Sequence, residues 1–346
     1  MQQTVTIGIP LYRAVQYIEA ALTSALSQTY EYIEVLVVDD QGGDGSMQVV
    51  ERLRRDHPRG HCIRVLHNDS NLGVGPSRNR IISEARGGWL YFLDSDDTMA
   101  PEAIALLHDR ATAAHADVAY GSMQRQQLGQ TALAMSYHYP DLVLKGPDAL
   151  ASHVFSHHGA FQSSVCNVLI SLPFLRGTTL RFGHARFWED TSFTYAMVLL
   201  VGTAVLDPHP TYCYRERPYS LSNYQERPQL SKDEVMGNAA TVNTMKLRYA
   251  TLADKHFIGD YCYTMQSYSF YIVSYALQHS RRIVPRMTAT ELHSILRFPM
   301  PLRAVRRFPT RRKPCLALWL LAAMPFPLQA VAIRLLATMK RLRQRL

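Results

Sequence analysis

The feature that most constrains this chain is an alternation repeated four times over its first 120 residues. An apolar run with strand character is followed each time by a segment with apolar residues at helical spacing. The strand-like runs are "TVTIGIP", "IEVLVVDD", "IRVLHN" and "WLYFLDSDD". The helical segments are "AVQYIEAALTSALSQ", "GSMQVVERLRRDH", "GPSRNRIISEA" and "APEAIALLHDRATA". Strand-helix alternation of this kind leads to a mostly parallel sheet with helices on both faces, and its ligands bind at the C-terminal ends of the strands. Two acidic clusters, Asp39-Asp40 and Asp94 to Asp97, fall at that edge.

The remainder is read more coarsely. "ADVAYGSM", "NVLIS", "TLRFG" and "AVLDPHPTYCYR" have strand character amid loops, and residues 233–280 have a helical pattern rich in Tyr, Met and Ala. The five cysteines show neither a CxxC pair nor Cys/His ligand spacing. A structural zinc or a disulfide framework is therefore not expected, and a reducing cytoplasm suits them. The N-terminus passes straight into an apolar strand, so no secretory signal peptide is expected.

Net charge is +9 but unevenly distributed. From Arg281 onward there are 15 Lys and Arg against one acid, Glu291, whereas the first 280 residues hold 22 basic and 27 acidic side chains. A uniformly basic protein would suggest nucleic acid as a partner; an acidic body with a basic tail suggests a tail docked on an anionic surface. Within that tail "CLALWLLAAMPFPLQAVAI", Cys315 to Ile333, carries no charge. Its 19 residues approach the ~20 that span a bilayer, but Pro325 and Pro327 interrupt it and both flanks are basic. Two short helices lying in the inner leaflet fit that pattern better than a crossing.

Asp94-Ser95-Asp96-Asp97 carries the sharpest chemical signal. Crowded carboxylates are relieved by a hard divalent cation, Mg2+ or Mn2+, which takes oxygen ligands and often completes its shell with phosphate oxygens. A competing structural role is an N-cap, from Asp97 or Thr98, for the helix beginning near Pro101. An EF-hand is excluded because the sixth loop position is not Gly. "YFLDSDDT" also resembles the phosphatase motif of the haloacid dehalogenase superfamily, with Asp94 as nucleophile and Asp96 as acid/base. Against that stand three preceding strand-helix units and the absence of a downstream acidic pair; in "EDTSFT" the fourth residue after Asp190 is Thr194. The glycines of "LGVGPSRN" and "QGGDGS" do not match a dinucleotide fingerprint and read as turns close to a phosphate or sugar.

Four ordered stretches, reaching from residue 4 to about 223, resemble family 2 glycosyltransferases. They are "VTIGIPLYRAVQYIEAALTSALSQTYEYIEVLVVDDQGGDGS", "NLGVGPSRNRIISEARGGWLYFLDSDDTMAP", "RFWEDTSFTYAMVL" and "YCYRERPYSLSN". The resemblance implies a GT-A fold, a Rossmann-like α/β sheet, and inverting transfer from a nucleotide sugar, here a UDP-sugar. It implies that Pro10 and Tyr12 line the nucleotide pocket, that Asp40 meets the ring N–H of a uracil-type base and that Arg78 lies beside the nucleotide. Asp94 and Ser95 are implied near the ribose and metal, Asp96 as metal ligand with Asp94, and Arg215 with Ser220 or Ser222 near the diphosphate. Asp190 is implied as general base with Glu189 as its rival, although both also suit the first turn of a helix. Arg13, Val168 and Gly43 depart from the family pattern, which affects the sugar side more than the metal.

The expected organisation is a glycosyltransferase domain over 1–230 (nucleotide half 1–120, acceptor half 121–230), a helical extension over 231–300 and a membrane-associating tail over 301–346. The expected partners are the donor, a glycan or lipid-linked acceptor and anionic inner-leaflet lipids, with no nucleic acid. Surface polysaccharide synthesis at the cytoplasmic face of the cell membrane is the expected setting. The alternatives are a dehalogenase-type phosphatase and an inactive scaffold that keeps the fold.

Overall fold

The computed structural model describes residues 3–157, 161–183, 188–217 and 228–343. In chain order the first elements are β1 (Val5–Leu11), α1 (Ile18–Leu26), β2 (Ile33–Asp39), α2 (Ser46–Asp56), β3 (Ile63–His67), α3 (Val74–Glu84) and β4 (Trp89–Phe92). β5 (Thr98–Met99), α4 (Ala103–Ala114), β6 (Val118–Gln126), β7 (Leu133–Tyr137), β8 (Leu142–Lys145) and α5 (Ala149–Ser156) follow. β9 (Val168–Ser171), α6 (Leu172–Arg176), α7 (Glu189–Val198) and β10 (Thr203–Arg215) complete the sheet region.

The strand order is β3-β2-β1-β4-β9-β6-β10-β5, with β7 beside β6 and β8 beside β10. The first four strands are parallel, as the alternation requires. β9 then runs antiparallel between β4 and β6. Every residue of β1 is buried, the pattern of a central strand covered on both faces. Pro10 is tolerated there because pairing to β4 stops at Gly8↔Phe92, before a missing N–H matters. α1 covers the sheet with Ile18, Ala21, Leu22, Ala25 and Leu26, spaced to form one apolar stripe.

Three expectations need correction. The strand read over "WLYFLDSDD" ends at Phe92, and the acidic residues form a turn closed by Asp97 N–H donating to the Asp94 carbonyl at 3.1 Å. "TLRFG" is not a strand; Asn79 of α3 holds the Phe182 backbone with both ends of its amide, Nδ2 donating to the carbonyl at 2.9 Å and Oδ1 accepting from the N–H at 2.8 Å. Neither Asp97 nor Thr98 caps α4: Gln28 of the segment after α1 does part of that work, its Oε1 accepting from Ile104 N–H at 3.0 Å.

The described chain divides into two compact units, one of residues 3–151, 161–183 and 189–217, the other of 152–157, 188 and 228–343. The second is helical, with β11 (Leu230–Ser231) and β12 (Ile283–Val284) as a short parallel pair. Its helices are α8 (Lys232–Leu247), α9 (Tyr249–Leu252), α10 (Ile258–Gln278), α11 (Ala289–Leu296), α12 (Leu302–Val305), α13 (Arg312–Ala323) and α14 (Phe326–Arg343). α8, α11, α13 and α14 pack on α10. A full capping box starts α11: Thr288 accepts from Glu291 N–H, and the Glu291 carboxylate accepts from Thr288 N–H. Lys246 Nζ donates to the Ile295 and Arg297 carbonyls near the other end, at 2.8 and 3.1 Å.

The uncharged tail folds as two helices broken at Met324-Pro325. Gln329 is fully buried beside the break, its Nε2 donating to the Leu321 and Ala322 carbonyls, both at 2.9 Å. Among the described residues no helix is long and apolar enough to cross a membrane.

Candidate active site

The site grows from the C-terminal edge of the parallel strands. Asp40 follows β2, is nearly fully buried and organises the loop that starts α3. Its Oδ1 accepts from Asn68 Nδ2 at 2.7 Å and Leu72 N–H at 2.9 Å, and its Oδ2 accepts from Gly73 N–H at 2.8 Å. Asp44 does comparable work one loop earlier, accepting from Val15 N–H and from the Ser46 N–H and hydroxyl. Burial pushes its carboxyl up, but those hydrogen bonds outweigh it and hold the group below the usual range. Arg13 (φ 48°) and Gln41 (φ 59°) are both left-handed without being glycine, a conformation that persists where surrounding contacts enforce it. Arg13 Nε donates to the Gly42 carbonyl at 3.3 Å, and its guanidinium lies 5.2 Å from the centre of the half-exposed Tyr12 ring.

The three aspartates after β4 have three different partners. Asp94 Oδ1 accepts from Arg78 Nη2 at 2.8 Å, while its Oδ2 has no hydrogen-bond partner among the described residues. Asp96 forms an ion pair with Arg217, whose guanidinium sits 5.7 Å from the centre of the Tyr17 ring. Asp97 is buried and structural: its Oδ2 accepts from the Tyr212 hydroxyl at 2.6 Å and its Oδ1 from Arg215 N–H at 2.8 Å. Burial and the charges of Asp96 and Asp94 push the Asp97 carboxyl well above its ordinary value. Burial raises Asp96 too, with Arg217 opposing and Asp94 reinforcing the shift. Ser95 is buried in the same turn.

Arg78 joins this loop to α7. The side chain, 3% exposed, donates through Nη1 to Glu189 Oε1 at 2.9 Å while Nη2 holds Asp94. Its guanidinium lies 5.5 Å from the centre of the Phe182 ring, which stacks on Phe193 at 4.0 Å. Approach of α3 to this floor depends on Gly75: a Cβ there would stand 2.5 Å from the Gly183 carbonyl oxygen. Glu189 and Asp190 occupy the first turn of α7, where the helix dipole favours acids. Burial and the Asp190 charge push Glu189 up to about 8, against the pull of Arg78. Asp190 is raised by burial, again opposed by Arg78, and accepts from its neighbour Thr191 N–H at 2.7 Å. Glu189 is engaged by Arg78; Asp190 is half-buried and the freer carboxylate.

Pro10, Tyr12, Asp40, Arg78, Asp94, Ser95, Asp96, Glu189 and Asp190 thus belong to one unit, with Arg78 of α3 tying the turn after β4 to the start of α7. Arg215 meets the acidic turn through its backbone N–H. Ser220, Ser222 and His184 lie outside the described residues, as does His158. Of the histidines that could supply a third metal ligand, His157 contacts His153 and His209 contacts Asp207, so neither is engaged with Asp94 or Asp96. Val168, in place of a lysine in the family pattern, is a fully buried sheet residue. Sequence reasoning missed Arg217 and Tyr137. Tyr137, in β7, has its hydroxyl pushed up by burial and by the Asp190 charge. The second arginine of "YRERP" was the only available signal for Arg217, and nothing marked Tyr137.

Among the described residues no group of three or more His, Cys, Asp or Glu is arranged to hold a metal. Asp94 and Asp96 nevertheless suit a Mg2+ or Mn2+ that takes its remaining ligands from water and phosphate. The fit test is the charge pattern itself: the Asp94 charge raises the affinity of Asp96 for positive charge, and Asp94 Oδ2 is unengaged among the described residues.

A curled, mostly parallel sheet with an acidic loop at its C-terminal edge, facing an acidic helix start through a shared arginine, defines the GT-A class. The crystal structure of S. aureus TarS 1-349 in complex with UDP-GlcNAc shares the fold, with TM-score 0.65 and 17% identity over 92% of this chain and 90% of that one. Residues 6–171 match the family described as Glycosyl transferase family 2. The succinoglycan biosynthesis protein ExoO of Rhizobium meliloti is 31% identical over 63% of this chain and 62% of its own length. The uncharacterized glycosyltransferase EpsJ of Bacillus subtilis is 26% identical over 66% of this chain and 65% of its own. The chain therefore spans less than two thirds of either curated relative. The family match sets aside the dehalogenase-type phosphatase.

Proposed function

We propose that this protein is an inverting, metal-dependent glycosyltransferase acting in surface polysaccharide synthesis. It moves a sugar from a UDP-linked donor to a hydroxyl of a glycan or lipid-linked acceptor. The observation that carries the reading is Arg78, which holds Asp94 after β4 and, 111 residues along the sequence from itself, Glu189 at the start of α7. The donor class is supported by TarS, whose crystal structure contains UDP-GlcNAc, and the setting by the succinoglycan relative.

In this reading Pro10 and Tyr12 flank the base. Asp40 meets it with the acceptor site left after three hydrogen bonds, since a carboxylate offers about four. Arg78 fixes Asp94, Ser95 stands beside it in the same turn, and Arg215 and Arg217 lie toward the diphosphate, as the family pattern also expects of Ser220. A divalent cation bound at Asp94 and Asp96 would neutralise charge on the departing diphosphate. Asp190 accepts the acceptor's hydroxyl proton as that oxygen bonds to the anomeric carbon from the face opposite the donor bond. The bond from that carbon to the diphosphate breaks, its electron pair leaving with the nucleoside diphosphate. The raised affinity of Asp190 for a proton suits a general base. The tail from residue 301 onward rests on the inner leaflet.

The test is nucleoside diphosphate release from a panel of nucleotide sugars, with acceptor glycans and with or without Mn2+. One donor should support release that chelation abolishes, and Asp190→Asn should lower the rate by about 100- to 10,000-fold. Donor binding with no transfer to any acceptor, unchanged by Asp190→Asn, would instead indicate an inactive scaffold.

A further inference from the structure

The helical unit ends in an unusual surface. Leu320 and Met324 of the α13 end, then Leu328, Val331, Leu335 and Leu336 of α14, are each between 39% and 61% exposed. From Leu320 to Leu335 they recur every three or four residues, which aligns them along one side of each helix. The opposite side of α14 is already satisfied: Ile333 is buried, and Gln329 is tied to α13 and, through Oε1, to His293 Nδ1 at 2.9 Å. α14 is therefore apolar on its inner and outer sides alike, which in a water-facing helix leaves a side without a partner.

Basic residues border this surface. Arg312 and Lys313 are exposed where α13 begins, beside an Arg311 that already pairs with the buried Asp260 at 3.0 Å, and Arg334 is exposed on α14 itself. In the same unit, Lys255, His256, Arg303 and Arg307 line a groove of about 550 Å³ floored by Met300 and Phe308, with Asp254 as its one acid. Trp319 of α13 donates to the Met300 carbonyl at 3.1 Å, so groove and α13 are joined directly.

We propose that the outer side of α13–α14 is a monotopic docking face for an anionic lipid surface. The Leu320–Leu336 row enters the interfacial region while the surrounding arginines and lysines meet lipid phosphates. The proposal rests on the peripheral attachment suggested above and assigns it to named side chains. Apolar side chains with a basic border are what interfacial helices present to anionic membranes. A second copy of this chain is a poorer occupant, because a segment with 15 basic residues and one acid would face its own like charge. A crossing is disfavoured by the break at Pro325 and by the tie through Gln329.

The test uses the full chain in flotation with vesicles of phosphatidylglycerol and phosphatidylcholine, or of phosphatidylcholine alone. The chain should float with the mixed vesicles and not the neutral ones, less so as salt rises. Leu328→Gln/Val331→Gln/Leu335→Gln should lower partitioning more than about tenfold, and Arg312→Gln/Lys313→Gln should weaken the preference for anionic lipid. Circular dichroism shows whether each variant is folded; if the triple Gln variant is not, Leu328→Ser and Leu335→Ser read the same face singly. Vesicle binding by a folded triple variant equal to that of the starting protein overturns the proposal. So does a concentration-dependent dimer that the triple variant abolishes, which would make this face a contact between copies. Nucleoside diphosphate release is measured alongside: its absence together with vesicle binding counts against the catalytic reading alone.

Discussion

At the scale of single residues, the acidic turn after β4 shows how similar side chains acquire different work from their surroundings. Asp94 and Asp96 each face an arginine, whereas Asp97 is spent on holding β10 through Tyr212 and the Arg215 backbone. Arg78 is the most exposed to error in this arrangement, because it is buried and has two carboxylates to satisfy. Arg78→Met should destabilise the protein by about 3–5 kcal/mol, the usual cost of leaving buried charge unpaired. Urea denaturation checks it, and a loss under about 1 kcal/mol would show that Asp94 and Glu189 find other partners. The sequence marked Asp94 and Asp96 as crowded acids at a strand end, and the resemblance to family 2 glycosyltransferases marked Arg78 and Asp190. Beyond the second arginine of "YRERP" it gave no hint of Arg217, and none of Tyr137; their roles come from long-range packing of β10 and β7.

Among elements, the approach of α3 to the 182–183 segment is the tightest fit at the site. Gly75→Ala would force a methyl to within 2.5 Å of the Gly183 carbonyl, and overpacking of this kind typically costs about 1–3 kcal/mol. Thermal unfolding should register that loss, and because Phe182 supports Arg78, kcat should fall as well. The β-α alternation was legible in the sequence because periods of two and near four are local properties. The 179–183 segment was misread as a strand because "TLRFG" has β-forming residues; Asn79, 103 residues away, claims its backbone hydrogen bonds instead. In the helical unit, burial pushes Lys246 from its ordinary value down to about 7. Between about pH 7 and pH 10.5 the unfolded chain therefore binds more protons at this group than the folded one, and its contribution to stability rises with pH. Below about pH 7 the lysine is charged in both states and the contribution is flat. Lys246→Met should remove that rise and leave two carbonyls unsatisfied, at about 1–3 kcal/mol each. Denaturant titrations of both proteins at pH 7 and pH 9 measure the difference.

For the whole molecule, the charge contrast between an acidic body and a basic C-terminal segment was readable from composition alone, and so was the break in the uncharged run. Composition did not reveal that the tail is also part of a core. Cys315, Leu321 and Ile333 are buried, and each such apolar side chain contributes about 1.5–3 kcal/mol by leaving water. Truncation before α13 should therefore lower the melting temperature and increase protease cleavage within α10, against which α13 and α14 pack. An unchanged melting temperature would mean that the tail is dispensable for folding. Substitution of exposed leucines is consequently a cleaner probe of membrane contact than deletion.

The amide of Gln329 has a mechanical consequence. Pro325 has no N–H with which to continue the helical ladder from Leu321, and the glutamine supplies a donor to that carbonyl and the next. The bend between the two final helices is therefore a braced elbow, not a slack hinge. Straightening it would strand the side chain's donors and the two oxygens they serve, so the tail is built to lie bent, whatever surface it meets.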